Sequence, residues 1–78
     1  MELKYIIPED GSPVIFKDPV LHSEAACGLG KILSAGFLRI RYVDGKFDCH
    51  VYGESVSLGI GSDKEEDAIR LNRFFNPY

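Results

Sequence analysis

The sequence predicts an α+β fold in which a small antiparallel sheet of four to five short strands packs with two helices. An alternating stretch with an Asp-Gly turn at its middle predicts a β-hairpin over residues 37–52. Apolar positions at helical spacing predict a helix downstream of it. The chain has 78 residues, 45% of them hydrophobic, so we expect one small α+β domain over residues 1–78.

Two short strands are predicted upstream of the hairpin, at residues 3–7 and 13–16. A turn segment joins them, with Pro8 and Pro13 at its ends, which suits strand termini. Both strands carry apolar residues on both faces. Ile6 and Ile15 alternate with the other apolar residues and are assigned to the second face. This pattern predicts either an internal strand or a contact with a second copy.

A short helix is predicted at about residues 19–27. Asp18 is a typical N-cap and Pro19 suits the first helical position, while Ser23-Glu24 offers a second start one turn later. Gly28 and Gly30 are then expected to end the helix in left-handed conformations.

The two-residue turn fixes the hairpin register and so separates its side chains into two faces. Arginines and histidine fall on one face and apolar residues on the other, as expected if only one face is buried. The apolar face pairs Leu38 with Val51, Ile40 with Cys49, and Tyr42 with Phe47. The opposite face pairs Phe37 with Tyr52, Arg39 with His50, and Arg41 with Asp48.

After the hairpin, Gly53 is expected to swap the faces so that Val56 and Leu58 line the core in a fifth short strand. A packed helix is predicted at about residues 63–75, with Ser62 and Glu65 as a capping box. The predicted core contains Leu38, Ile40, Tyr42, Phe47, Cys49, Val51, Leu71 and Phe75.

Motifs for catalysis, cofactors and metals are incomplete. Gly28-Leu-Gly-Lys31 ends like a phosphate-binding loop but lacks its first glycine and its hydroxyl residue. Cys49 and His50 are neighbours on a strand, so their side chains point to opposite faces and cannot share a metal. We therefore expect no catalytic residues, no cofactor and no metal, and a protein that is not an enzyme.

Cysteine content and hydropathy point to the cytoplasm. Two cysteines are too few for a secreted disulfide scaffold of this length. The first residues lack the features of a signal peptide, and the apolar runs are far shorter than a membrane span. We expect a cytoplasmic protein with no membrane partner.

The outer hairpin face is the candidate binding surface, formed by Phe37, Arg39, Arg41, His50 and Tyr52. Aromatic residues and arginine are enriched in interfaces, although an ordinary solvated sheet face has a similar composition. The leading hypothesis is a protein-interaction or assembly module that forms homo-oligomers. The alternative is a small RNA- or ligand-binding domain that uses the same face, although the net charge of −3 disfavours nucleic acid.

Overall fold

The computed structural model describes residues 2–77 and has the predicted α+β architecture. A four-stranded antiparallel sheet has the order β2-β1-β3-β4, and β5 and β6 pair as a separate two-stranded sheet. The elements are β1 (Glu2–Pro8), β2 (Val14–Phe16), α1 (His22–Ala25), β3 (Ile32–Val43), β4 (Lys46–Tyr52), β5 (Glu54–Ser55), β6 (Ile60–Gly61) and α2 (Lys64–Phe75).

The predicted register of the β3–β4 hairpin is confirmed. Arg41 lies opposite Asp48, Arg39 opposite His50, and the same alignment continues along the hairpin. The turn has positive φ values at Asp44 (49°) and Gly45 (79°), as a type I′ turn requires.

Strand β3 begins earlier than the alternating stretch indicates, at Ile32, and keeps its register with β1 through Gly36. A side chain does not fit at this glycine, because a Cβ there would lie 2.8 Å from the Tyr52 carbonyl oxygen. The register between β1 and β3 shifts further along, between Ile7 and Pro8 of β1.

Helix α2 covers the inner face of the sheet and forms the core with it. Leu38, Cys49 and Leu71 are buried as predicted, together with residues 5 and 7 of β1. Ile40, Val51 and Phe75 pack around this cluster and are partly buried.

The prediction that Tyr42 and Phe47 are core residues is wrong. They lie on the predicted inner face, but Tyr42 is 63% exposed and Phe47 is 42% exposed. Helix α2 ends at Phe75, so it does not cover the end of the hairpin.

The start of α2 differs from the predicted capping box by one residue. Asp63 is the N-cap, and its carboxylate accepts a hydrogen bond from the Glu66 backbone N–H. The Ser62 hydroxyl instead donates to the Gly53 carbonyl at 2.8 Å, which ties the helix start to the end of β4.

Helix α1 is shorter than predicted, because its N-terminal boundary is not at Asp18. The Asp18 carboxylate forms an ion pair with Lys4 at 2.6 Å, and the backbone around Pro19 forms a turn in which the Val20 N–H donates to the Lys17 carbonyl. The helix begins after Leu21, close to the second predicted start.

The outer face of β1 and β2 is covered by the chain itself. Ile6 is fully buried there, and His22 of α1 packs edge-on between the rings of Phe16 and Phe37. Ile15 pairs with Tyr5, which places it on the inner face, where it packs on the core. Both isoleucines pack within the chain, so neither is available for a contact with a second copy.

The segment after β4 does not supply a core strand. Residues 56–59 form the turn between β5 and β6, and Val56 is 88% exposed. Ser55 is buried instead, and its hydroxyl accepts a hydrogen bond from the Leu58 N–H at 3.1 Å. The expected exchange of faces at Gly53 is therefore wrong.

The free edge of β4 is covered by the side chains of Asn72 in α2 and of Asn76, the residue that caps this helix. The Asn76 amide accepts from the Phe47 N–H at 2.9 Å and donates to its carbonyl at 2.7 Å. Asn72, one helical turn earlier, makes the same pair of bonds with Cys49. These contacts satisfy backbone groups that an edge strand otherwise presents to other chains.

Within residues 2–77, no helix combines the length and the apolar composition needed to cross a membrane.

Candidate functional site

In the described part of the chain, the outer face is open over β3 and β4 and at Glu2, the first residue of β1. Four of the five residues predicted to form the binding surface lie together there and line an open depression of about 590 Å³. Arg39 and Arg41 come from β3, and His50 and Tyr52 come from β4. We call this region the open half of the outer face.

Phe37, the fifth predicted residue, lies at the border between the open and covered halves. Its ring stacks on Tyr52 at a centroid distance of 5.8 Å and meets the His22 ring edge-on at 5.4 Å. It is half-buried, so a substitution at Phe37 changes the packing under the face as well as the face itself.

A carboxylate is paired with each arginine of the open half. The Arg41 guanidinium donates to Asp48 at 3.1 Å, and Arg39 lies 3.8 Å from Glu2. His50 lies 3.0 Å from the same Asp48 oxygen. The hydrogen bonds from Arg41 and then His50 hold the pKa of Asp48 below its usual range.

Tyr52 joins the aromatic and charged parts of this face. The Arg39 guanidinium lies over its ring at 5.5 Å from the centroid, and its hydroxyl donates to the Glu2 carboxylate. Partial desolvation and this hydrogen bond to Glu2 raise the pKa of Tyr52. The face therefore has cationic, anionic and aromatic groups within a small area.

Sequence reasoning missed Glu2 because it did not predict the strand order. Glu2 reaches the site through the β1–β3 pairing, in which it lies opposite Arg39. The opposite charges of Glu2 and Arg39 indicate a cross-strand ion pair, but this can be inferred only when β1 is known to lie beside β3.

A second exposed surface lies on the other side of the hairpin. The rings of Tyr42 and Phe47 are in edge contact at 5.0 Å, and Phe47 is 5.9 Å from Phe75, which in turn contacts Phe74 at 5.3 Å. Phe74 is 53% exposed. We call Tyr42, Phe47 and Phe74 the aromatic patch; it was missed because two of its members were predicted to be buried.

The groups with catalytic potential are engaged in structural contacts. The buried Asp67 carboxylate accepts hydrogen bonds from Tyr5, Ser34 and the Asp63 backbone. The Nε2 atom of His22 lies 2.8 Å from the Gly36 carbonyl oxygen. In the described part of the chain, no three His, Cys, Asp or Glu side chains are grouped so that they could hold a metal ion.

The two cysteines are both free, Cys27 at the surface and Cys49 in the core. Burial, with a smaller contribution from the Asp48 charge, raises the pKa of Cys49 to about 11. This thiol is therefore protonated at neutral pH, the form that is a poor nucleophile.

No family model, no curated protein and no solved structure matches this chain.

Proposed function

We propose that this protein is a non-enzymatic interaction module of the cytoplasm that associates with a second copy of itself through the β3–β4 hairpin. The observation that carries the proposal is the exposure of the hairpin end. Every residue from 41 to 47 is exposed, on both faces. On one side, helix α2 ends beside Phe47 and does not extend over the rest of this segment, and on the opposite side α1 lies over other strands.

The hairpin end is a two-stranded ribbon that needs additional contacts. Pairing between β1 and β3 runs only as far as Arg39, so among residues 2–77 the rest of β3 pairs with β4 alone. A two-stranded ribbon is marginally stable in water, and its exposed aromatic rings gain free energy when a partner covers them. A second copy supplies such a cover without any other component.

The sheet edges favour a contact through a face. The outer edge of β4 is occupied by Asn72 and Asn76, and the opposite edge strand, β2, has only three residues. The free edge of β3 beyond Arg39 is also short, since the strand ends at Val43. Short or covered edges oppose strand addition. Association is therefore expected to use the open half of the outer face or the aromatic patch.

The cytoplasmic assignment is supported by the two free thiols, which suit a reducing compartment. The nucleic-acid alternative has less support. Arg39 and Arg41 are already paired with carboxylates, and the chain has a net charge of −3, whereas nucleic-acid binding gains affinity from unpaired cations that neutralise phosphates.

Sedimentation velocity and light scattering from micromolar to millimolar protein test the proposal. We expect a reversible dimer whose population rises with concentration. Arg41→Glu tests the open half of the outer face and Phe74→Ser tests the aromatic patch. Lys17→Glu is the matched control, because it makes the same charge change as Arg41→Glu at an exposed position away from both surfaces.

At least one of the two surface variants is expected to weaken the dimer while Lys17→Glu leaves it intact. A strict monomer over the whole concentration range overturns the proposal. A dimer that is indifferent to both surface variants also overturns it, because the contact then lies away from the hairpin end.

A further inference from the structure

The charges on the open half of the outer face follow the strands. Its cations, Arg39 and Arg41, both belong to β3, and the carboxylate of Asp48 belongs to β4. Arg41 and Asp48 form one cross-strand pair, so they lie at the same height along the hairpin. Any copy placed face to face on this surface must match that arrangement of charges.

We propose that two copies pair through this face about a twofold axis that runs parallel to the strands, midway between β3 and β4. The inference rests on the proposed self-association and specifies its geometry. Rotation about this axis places β3 of one copy over β4 of the other. It does not change the position of any cross-strand pair along the strands. Arg41 of one copy therefore faces Asp48 of the second copy, and the reverse contact forms at the same time.

The other in-plane twofold axis, perpendicular to the strands, gives a different result. It places β3 of one copy over β3 of the other, so that Arg39 and Arg41 face arginines of the second copy. Like charges that are brought together and desolvated in an interface strongly oppose association. Charge complementarity thus selects the axis parallel to the strands.

Atoms for the intermolecular contact are available on both residues. Within the described chain, Arg41 uses only Nη2 and Asp48 uses only Oδ2 in their mutual hydrogen bond. The second carboxylate oxygen and the remaining N–H groups can form a further bond, since a carboxylate accepts up to about four and a guanidinium donates up to about five. The contact with the second copy adds to the internal pair and does not replace it.

The covered half of the outer face leaves room for this arrangement. Helix α1 lies against β1, and His22 packs between Phe16 of β2 and Phe37 of β3. In the dimer, the sheet of the second copy lies about 10 Å above β3 and β4, beside the layer formed by α1. Two sheets commonly pack in such an aligned sandwich. Glu2 stays with its own Arg39 at the rim.

The test uses two charge-reversal variants, Arg41→Glu and Asp48→Arg, alone and as a mixture. Each variant alone places like charges opposite each other across the axis and is expected to weaken self-association by about tenfold or more. In the mixture, the heterodimer places Glu opposite Arg and Arg opposite Asp. Its affinity is expected to return to within about threefold of the wild-type value.

The mixture separates the intermolecular contact from the internal one. Within each variant chain the internal Arg41–Asp48 pair is lost whether or not the variants are mixed. If the variants weakened the dimer only by disturbing their own hairpin, mixing them would therefore not restore the affinity. Fluorescence anisotropy of one labelled variant titrated with the other measures the heterodimer, and circular dichroism verifies that both chains are folded. If a reversal variant does not fold, Arg41→Gln and Asp48→Asn replace it, because their heterodimer still regains one of the two ion pairs.

The outcomes distinguish the two proposals. A wild-type protein that stays monomeric overturns the proposed function and this geometry with it. A wild-type dimer that both reversals leave intact, or a mixture as weak as each variant alone, overturns the geometry and leaves self-association standing.

Discussion

The Tyr5 hydroxyl donates a hydrogen bond of 2.6 Å to the carboxylate of Asp67, and both residues are buried. The bond links the central strand β1 to the first turns of α2. The other oxygen of Asp67 accepts a bond of 2.7 Å from the Ser34 hydroxyl, which brings β3 into the same network. One carboxylate therefore holds the helix on two strands, and the open half of the outer face lies on the other side of this sheet.

Asp67→Ala is expected to destabilise the protein by about 3–5 kcal/mol, because it leaves two buried hydroxyl groups without their acceptor. A domain of this size has a total stability of similar magnitude, so the variant should be largely unfolded at room temperature. Urea unfolding followed by circular dichroism measures the loss.

The double variant Tyr5→Phe/Asp67→Ala is the control for this network. Removing the Tyr5 hydroxyl removes one of the unsatisfied groups, so the double variant should be less destabilised than the sum of the two single variants. Strict additivity would show that Tyr5 and Asp67 do not act together.

Asn72→Ala is expected to lower the melting temperature by about 5–15 °C, which corresponds to about 1–2 kcal/mol. It removes the bonds to the Cys49 N–H and carbonyl and exposes part of the β4 edge. Light scattering during thermal unfolding should also show more aggregation, because an uncovered edge can pair with another chain.

Asn72→Asp separates the two bonds, since a carboxylate still accepts from the Cys49 N–H but no longer donates to the carbonyl. The amide of Asn72 also donates to the Ala68 carbonyl at 2.8 Å, so the substitution brings a carboxylate oxygen against carbonyl oxygens in the last turn of the helix. We therefore expect Asn72→Asp to destabilise the protein at least as much as Asn72→Ala. An Asn72→Ala variant with unchanged melting and scattering would contradict a protective role for the edge contacts.

The sequence was sufficient to predict features that depend on local chemistry. The β3–β4 register follows from alternation and from the Asp44-Gly45 turn, and the end of α2 at Phe75 follows from Asn76 and Pro77. Alternation also placed Tyr42 on the correct face of the hairpin.

Features that depend on long-range packing could not be predicted in the same way. Alternation gives the face of a side chain, but whether Tyr42 is buried depends on how far α2 extends over that face. Glu2 enters the site only through pairing between β1 and β3. Asp18 matches the N-cap pattern, yet its carboxylate pairs with Lys4 of a distant strand.

Gly45→Val is expected to cost about 1–2 kcal/mol, because a β-branched residue is strained at the positive φ of 79° found there. Apart from the two neighbouring residues, no atom of the described chain lies within 4 Å of a Cβ built at this position, so the cost comes from the backbone conformation. Gly45→Asn is the matched control, since asparagine tolerates this conformation and should change the stability by only a few tenths of a kcal/mol. Equal melting temperatures for the two variants would contradict the type I′ turn.

Alkaline pH is expected to destabilise the protein through Cys49 and then Tyr5. Burial raises the pKa of Cys49 from 9.0 to about 11, and burial with the Asp67 hydrogen bond raises the pKa of Tyr5 above its usual 10.0. The folded state favours both neutral forms, so their contribution to stability is complete below pH 9. The Cys49 contribution is lost between about pH 9 and 11, and the Tyr5 contribution begins to fall above about pH 10.

The free energy of unfolding, measured in urea from pH 7 to 11, should therefore be level up to about pH 9 and then fall. Cys49→Ala should remove the part of the decline that begins near pH 9. Tyr5→Phe should remove most of the part that begins near pH 10, and the remainder comes from Tyr52, whose pKa is also raised in the folded protein. Cys27→Ala, at an exposed position, should leave the whole profile unchanged. A thiol probe gives an independent measurement, because Cys27 should react in the folded protein while Cys49 reacts only at the rate of unfolding. Equal reaction rates of the two thiols at neutral pH would contradict the burial on which the pH profile depends.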